Sequence, residues 1–228
     1  MIKVNKGDFI EIDYVGMIKE DRKIFDLTSE EIAKKNDIYN KNFKYGPIII
    51  CIGEKNIIKG LDKNLIDKEI GKEYEFEVSA EEGFGNKNPK ALQLVAMKVF
   101  LQNNIRPFPG LQLNLDGMLG TIRSVSGGRV IVDFNHPLAG KKLLYKVKIL
   151  KKIDDTKQKV DACLKFVGLQ ENMFKVNLKD NKAEIDLHTP MENEVLKKAF
   201  EEKIKQLVPE IKEVKIKSLP KKEDSKKQ

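Results

Sequence analysis

Residues 47–61 read Pro47-Ile48-Ile49-Ile50-Cys51-Ile52-Gly53-Glu54-Lys55-Asn56-Ile57-Ile58-Lys59-Gly60-Leu61. The first seven are a β-rich run bounded by Pro and Gly, which reads as a strand. After Gly53 the chain turns, and from Leu61 to Ile70 the apolar positions Leu61, Leu65, Ile66 and Ile70 share one helical face, closed by Gly71. A strand passing quickly into a short amphipathic helix is flanked on both sides by more strands. Upstream, Ile10, Ile12 and Tyr14 alternate with Glu11 and Asp13; downstream, Tyr74, Phe76 and Val78 alternate with Glu73, Glu75 and Glu77. Ser29 to Asn36 reads as a second short helix, with Ser29 as N-cap and Glu30 and Glu31 in its first turn. Leu143 to Leu150 alternates again and closes the domain.

The character of the chain changes between these strands. Residues 86–132 hold six basic groups against one acidic, Asp116, whereas the 228-residue chain has 43 against 35 for a net charge of +8. Asp116-Gly117 and Gly127-Gly128 are hairpin signals, with strands expected near 111–114, 118–125 and 129–134. The segment reads as a small β module set into a larger fold. Lys151 to Lys159 is charged and reads as a linker. Beyond it come a helix through Val160, Cys163, Leu164 and Val167, a hairpin around Lys179-Asp180-Asn181-Lys182, and a helix opened by Pro190. That helix carries a stripe of Met191, Val195, Ala199, Phe200, Ile204 and Leu207, and a strand through Val214 and Ile216 follows. The tail from Lys221 is charged and reads as disordered.

Composition narrows the chemistry. Two cysteines, Cys51 and Cys163, make no disulfide framework. Two histidines, His136 and His188, have no second ligand at metal spacing. There is no phosphate loop, no Gly-x-Ser-x-Gly and no Cys with a His partner. No window approaches the roughly 18 apolar residues of a spanning helix, and the N-terminus lacks a secretory signal. A cytoplasmic protein without a membrane partner is expected. The bases are almost all lysine, and base-edge reading leans on arginine, so no specific nucleic-acid partner is expected. What remains is a site without acids or nucleophiles, an apolar aromatic cleft.

Tyr14-Val15-Gly16, Phe25-Asp26, Ile52-Gly53 to Gly60-Leu61, Gly71-Lys72-Glu73, Gly83-Phe84-Gly85 and Leu143-Leu144-Tyr145, taken in order, resemble the FKBP-type prolyl isomerases. The break after Gly85 and the resumption at Val132-Asp133-Phe134-Asn135-His136-Pro137-Leu138-Ala139-Gly140 are similar to the SlyD-like branch, in which an insert-in-flap chaperone domain occupies the flap. The module after residue 153 resembles that of long archaeal-type members. The resemblance implies an α+β fold: a twisted antiparallel half-barrel with a short helix against it, an inserted small β domain, and a C-terminal α+β domain. The implied boundaries are 1–85 and 134–152 for the isomerase domain, 86–133 for the insert, 154–220 for the C-terminal module and 221–228 for the tail.

It also implies a peptidyl-prolyl cis-trans isomerase acting on X-Pro bonds in unfolded or nascent polypeptides, with chaperone activity from the insert. The alternative is a catalytically idle holdase that only binds unfolded clients. Leu61 would be the floor beneath the proline ring, where most drug-binding relatives carry Trp. Tyr14, Phe25, Ile57 and Tyr145 would be walls, the N–H of Ile58 a donor to a substrate carbonyl, and Asp26 a rim group held by Tyr14. Phe84 stands where many relatives have Tyr, so a phenolic hydrogen bond to substrate is missing. Ile48, Leu138 and Ala139 would line the substrate, and Phe100, Phe108 and Met118 would give the insert a client surface. No cofactor is implied, and the family's metal-binding tail is absent. Ribosome association is compatible with this reading. The C-terminal stripe reads as core or as the face of a homodimer.

Overall fold

A computed structural model of the chain describes residues 2–115, 117–191 and 193–218. Asp116 of the expected Asp-Gly turn, the end of the C-terminal module at 219–220 and the tail 221–228 lie outside the described residues. The elements are β1 (Phe9–Ile18), β2 (Ile24–Leu27), α1 (Glu30–Lys35), β3 (Ile48–Cys51), α2 (Lys59–Leu65) and β4 (Glu73–Val78). There follow β5 (Leu92–Ala96), α3 (Met97–Gln102), β6 (Gln112–Leu115), β7 (Met118–Ser126), β8 (Arg129–Asp133) and β9 (Leu143–Lys152). Last come α4 (Thr156–Phe166), β10 (Phe174–Lys179), β11 (Lys182–Leu187), α5 (Glu194–Leu207) and β12 (Glu213–Ser218). The fold is α+β. It divides into two compact units, one of Met1–Gly16, Ile24–Phe76 and Tyr145–Gln228, the other of Met17–Lys23 and Glu77–Leu144.

The first unit carries the sheet β2-β1-β9-β4, with β3 antiparallel to β1 in the register Phe9↔Cys51 to Ile12↔Ile48. Alternation in β1 buries Ile10 and Ile12, as its sequence demands. Helix α1 begins where expected: the Ser29 hydroxyl oxygen accepts from the Ile32 N–H, and Glu30, Glu31, Lys34 and Lys35 complement the helix dipole. Helix α2 departs from the expected Leu61–Ile70 and stops at Leu65. Ile66 is extended and Asp67 has φ 62°. The cause is competition from the N-terminal segment: Val4 N–H donates to Lys68 O, Asp67 N–H to Val4 O, and Ile70 N–H to Ile2 O. These bonds satisfy backbone groups that a longer helix would have paired internally, and Ile66 is left exposed.

A second sheet, β10-β11-β12, completes this unit. Asp180 and Asn181 both take positive φ in the tight turn of the β10–β11 hairpin. β12 runs parallel to β11 after a crossover through α5. The charged stretch 151–159 is not a free linker. β9 runs to Lys152, α4 starts at Thr156, and between them Ile153 is buried with its N–H donating to Phe9 O. Phe9, Cys51 and Ile153 share one apolar cluster with Val160, Cys163 and Leu164 of α4 and with the β10–β12 sheet. Helix α5 starts at Glu194, where Asn193 caps the N–H groups of Val195 and Leu196. Its stripe is shorter than expected. Ile204 is buried and Phe200 and Leu207 partly so, but Val195 is 77% exposed.

The second unit holds the sheet β5-β8-β7-β6. The expected strands appear as β6, β7 and β8. β5 and α3 were not legible, because Leu92-Gln93-Leu94-Val95-Ala96 turns its larger leucines outward and α3 has only six residues. Phe100 of α3 is 1% exposed and forms the insert core with Ile122, Val130 and Val132. It is therefore a core residue, not part of a client surface: α3 needs one large apolar side chain to hold it on the sheet. Phe108 and Met118 remain exposed. Gly120 is compelled by the same packing. A Cβ there would sit 2.6 Å from Val132 Cγ1 and 2.9 Å from Phe134 Cε1. Gly120→Ala is expected to destabilise the insert by about 1–3 kcal/mol through overpacking. Faster amide exchange in β7 and β8 is the readout, and unchanged exchange would contradict it.

The base of the insert is tied across its entry and exit. Asn88 N–H donates to Asn135 Oδ1, Asn135 Nδ2 donates to Asn88 O, and Phe134 N–H donates to Ala91 O. Asn135 is itself held by Asp133 Oδ1, while Asp133 Oδ2 takes two N–H bonds from Arg123, at 2.9 and 2.8 Å. Burial alone would raise the Asp133 pKa, but the bonds from Asn135 and Arg123 outweigh it and hold the carboxyl below its usual 3.8. A depressed carboxyl stabilises the fold above the unfolded value and loses that contribution as pH falls through the folded value. Between about pH 5 and pH 3, the insert's denaturation midpoint should thus fall further in the native chain than in Asp133→Asn. Equal acid sensitivity would contradict this.

Candidate active site

In the first unit, β1 carries Tyr14 and Gly16 two residues apart, hence on one face, and β2 carries Phe25 and Asp26 beside it. Thr28 pins the two strands: Tyr14 N–H donates to Thr28 Oγ1 at 2.8 Å and Thr28 N–H donates to Tyr14 O at 3.0 Å. The Thr28 hydroxyl also donates to Asp13. Fixed this way, the Tyr14 hydroxyl donates to Asp26 Oδ2 at 2.7 Å. Tyr145, on β9, packs against Tyr14 with ring centroids 6.0 Å apart and meets Phe25 edge-to-face at 5.9 Å. That edge-to-face geometry suits the ring quadrupoles. Burial first, and then the bond and charge of Asp26, push the Tyr14 phenol far up; burial and Asp26 do the same to Tyr145. Both rings stay neutral at any working pH.

Gly16 is what lets the rings come this close to β1. A Cβ there would lie 2.9 Å from Tyr145 Cε1 and 3.0 Å from Phe25 Cζ. The β3–α2 connection is built just as tightly. Asn56 Oδ1 accepts the Cys51 N–H at 2.9 Å, and both Asp62 carboxylate oxygens accept the Gly53 N–H, at 2.9 and 3.1 Å. These bonds fix Ile57 and Ile58 at the mouth of α2, where Ile58 is the N-cap and its O accepts the Leu61 N–H. Leu61 is fully buried, Ile57 and Ile58 are half-buried, and Ile48 opens β3 opposite Ile12.

Phe84, Leu138 and Ala139 belong to the second unit. The turn Gly83-Phe84-Gly85 is held by N–H bonds from Gly83 and Gly85 to Ala80 O, and Gly85 O accepts from Gly140 N–H at 2.8 Å. Phe84 stacks on His136 with ring centroids 4.5 Å apart and planes within 1°. The His136 Nδ1 accepts the Leu138 N–H at 3.1 Å, so a neutral ring carries its proton on Nε2. Leu138 is half-buried and Ala139 buried.

Tyr14 thus bonds Asp26, Tyr145 lies against both Tyr14 and Phe25, and Ile57, Ile58 and Leu61 share one rigid connection. Sequence reasoning assigned no role to Thr28, Asp62 or His136. Thr28 and Asp62 act through hydrogen bonds to backbone groups of another segment, which leave no periodic trace. His136 lacks the second ligand or nucleophile that would single it out. A cleft of about 230 Å³ opens beside Asp13, on the other face of β1 from Tyr14. Its lining of Thr28, Ser29, Glu30 and Tyr45 is polar, so it is not the apolar cradle expected. Among the described residues no group of three His, Cys, Asp or Glu is placed to share a metal ion, and no helix is long and apolar enough to cross a membrane.

Residues 2–100 match the family model of the FKBP-type peptidyl-prolyl cis-trans isomerases, and residues 93–138 match that of the FKBP26 IF domain. The chain is 32% identical over 146 residues to the short-type peptidyl-prolyl cis-trans isomerase of Methanocaldococcus jannaschii, covering 64% of this chain and 92% of that one. It is 33% identical over 119 residues to the FKBP-type isomerase SlyD of Helicobacter pylori, covering 50% and 64%. To the FKBP-type 16 kDa isomerase of Escherichia coli it is 28% identical over 132 residues, covering 56% and 83%.

Proposed function

The chain belongs to the FKBP-type peptidyl-prolyl cis-trans isomerase family, and from that premise we propose that it accelerates X-Pro isomerisation in unfolded or nascent polypeptides while its insert holds them. The observation that carries the reading is the aromatic cluster in which Tyr145 packs on Tyr14 and Phe25, with Tyr14 bonded to Asp26 and both phenols neutral. An X-Pro bond is slow to turn because amide resonance sets a barrier of roughly 18–20 kcal/mol, although cis and trans differ by only about 0.5–1 kcal/mol. No proton or nucleophile is needed. A dry aromatic cradle favours the twisted, less polar amide over the planar one, and each tenfold of rate needs about 1.4 kcal/mol.

In this scheme Leu61 is the floor, Tyr14, Phe25, Ile57 and Tyr145 are walls, and the Ile58 N–H receives a substrate carbonyl. Ile48, on the same unit, lines the substrate. Asp26, anchored by Tyr14, is the polar rim. The insert offers exposed Leu94, Leu101, Phe108, Met118 and Leu119 to a client. An unfolded segment held there is kept at high effective concentration for the isomerase site.

A protease-coupled assay on a short X-Pro peptide tests the enzyme. Acceleration supports it, and none would leave only the holdase reading that the exposed apolar residues favour. Tyr14→Phe removes the bond to Asp26 while keeping the ring. It is expected to lower kcat/KM roughly fivefold to tenfold, the equivalent of about 1–1.4 kcal/mol for one hydrogen bond. A change under twofold would remove Asp26 from the scheme. Leu94→Ser with Phe108→Ser should weaken suppression of aggregation and leave peptide turnover unchanged.

A further inference from the structure

The outer face of the insert sheet has a composition that the activity alone does not require. Leu94 is 61% exposed and stands opposite Ile131, 38% exposed, across the β5–β8 pair; Leu92 lies on the same face two residues away. At one end of this stripe, Arg129 is the exposed partner of Ala96, two residues from Ile131. At the other end, the guanidinium of Arg123 is half exposed where it holds Asp133, the partner of Leu92. Asp133 is the only carboxylate among the described residues of 86–133, and it is buried in that pair. The stripe therefore has the cation Arg129 at one end and the neutralised Arg123–Asp133 pair at the other, with no exposed carboxylate among the described residues of the insert. It is about 13 Å long, the four steps from Leu92 to Ala96 at roughly 3.3 Å each.

We infer that this face selects polypeptide segments in which apolar side chains alternate over a few residues and are flanked by Asp or Glu, and that it rejects segments flanked by Lys or Arg. The inference rests on the proposed role of the insert in holding unfolded chains. Apolar side chains at i and i+2 of an extended client match the spacing of Leu92 and Leu94. A carboxylate two residues on meets Arg129, whose planar fork takes it by two parallel bonds. A client ammonium at that point faces an uncompensated cation, and such repulsion discriminates as effectively as attraction does. A single-stranded nucleic acid is the other polyanion to weigh. It binds through aromatic rings interleaved with cations, and the paired positions on this face, Leu92, Leu94, Ala96, Arg129, Ile131, Asp133, carry no ring.

The test uses the full chain and three labelled, proline-free unfolded peptides of identical apolar content, flanked by Asp, Ser or Lys. Binding is read by fluorescence anisotropy, with an oligouridine RNA as a fourth ligand. At low salt the Asp peptide is expected to bind at least about tenfold more tightly than the Lys peptide, and the gap should shrink to about threefold or less near 0.5 M salt, where screening shortens to a few ångströms. Arg129→Gln should narrow the gap, and Arg129→Glu should close or invert it. Leu94→Ser should weaken all three peptides alike. Equal affinity for the three peptides would overturn the inference and leave the holding function intact. Binding of none would overturn both. An RNA that binds more tightly than the Asp peptide and displaces it would assign the cations to nucleic acid and overturn the inference.

Discussion

Gly16→Ala is expected to slow X-Pro isomerisation about tenfold or more, with the chain still folded. The added methyl has nowhere to go. It would lie 2.9 Å from Tyr145 Cε1 and 3.0 Å from Phe25 Cζ, and Tyr145 is itself buried, with Tyr14 behind it at a centroid distance of 6.0 Å. Overpacking of this kind typically costs about 1–3 kcal/mol. The least costly relief is to turn the Phe25 and Tyr145 rings, which on the proposed reading are two walls of the cradle. If about 1.4 kcal/mol of that strain reaches the transition state, the rate falls tenfold. The coupled peptide assay checks the rate, and near-ultraviolet circular dichroism checks that the tyrosine environment has moved while far-ultraviolet signal is kept. Full activity with shifted rings would show that Phe25 and Tyr145 do not shape the transition state.

Phe9→Ala is expected to lower stability by about 3–5 kcal/mol, the usual cost of deleting a buried aromatic ring. Phe9 is almost wholly buried, and its ring stacks on Phe166 of α4 with centroids 6.3 Å apart. Its carbonyl receives the Ile153 N–H, so the residue joins the first strand to the start of the C-terminal module through side chain and backbone both. Urea denaturation followed by tyrosine fluorescence and by circular dichroism should give one transition, moved to lower urea for both probes. Phe166→Ala, at the other side of the same contact, should move it in the same direction. A loss under about 1 kcal/mol for Phe9→Ala would mean the cluster collapses around the gap, the opposite of what a site packed on all sides does.

Elements with strong periodicity or a local cap were legible in the sequence. β1 and β4 follow from alternation, α1 from Ser29 and its charged turns, and the β10–β11 hairpin from Asp180-Asn181. Elements set by a distant partner were not. Helix α2 ends early because Val4 and Ile2 take backbone groups that a helix through Ile70 would have used. Charge marked 151–159 as a linker, yet Ile153 inside it is buried against Phe9. Phe100 looked like surface for clients because apolar residues in a module with few charges have no fold-independent mark to separate core from patch. α3 places it inside.

The same division runs through the site. The order of short motifs carried the resemblance through which Tyr14, Phe25, Asp26 and Tyr145 were singled out, and such motifs are residue types read along the chain. The resemblance already implied the Tyr14–Asp26 pair; only the folded chain sets Tyr145 against both the Tyr14 and Phe25 rings and leaves no room for a side chain at Gly16. Those are contacts across strands far apart in sequence, decided by the packing of one sheet. The cation–apolar stripe on the insert has the same origin. Its residues are scattered along 92–131, and only the strand register puts Leu94, Ile131 and Arg129 on one face.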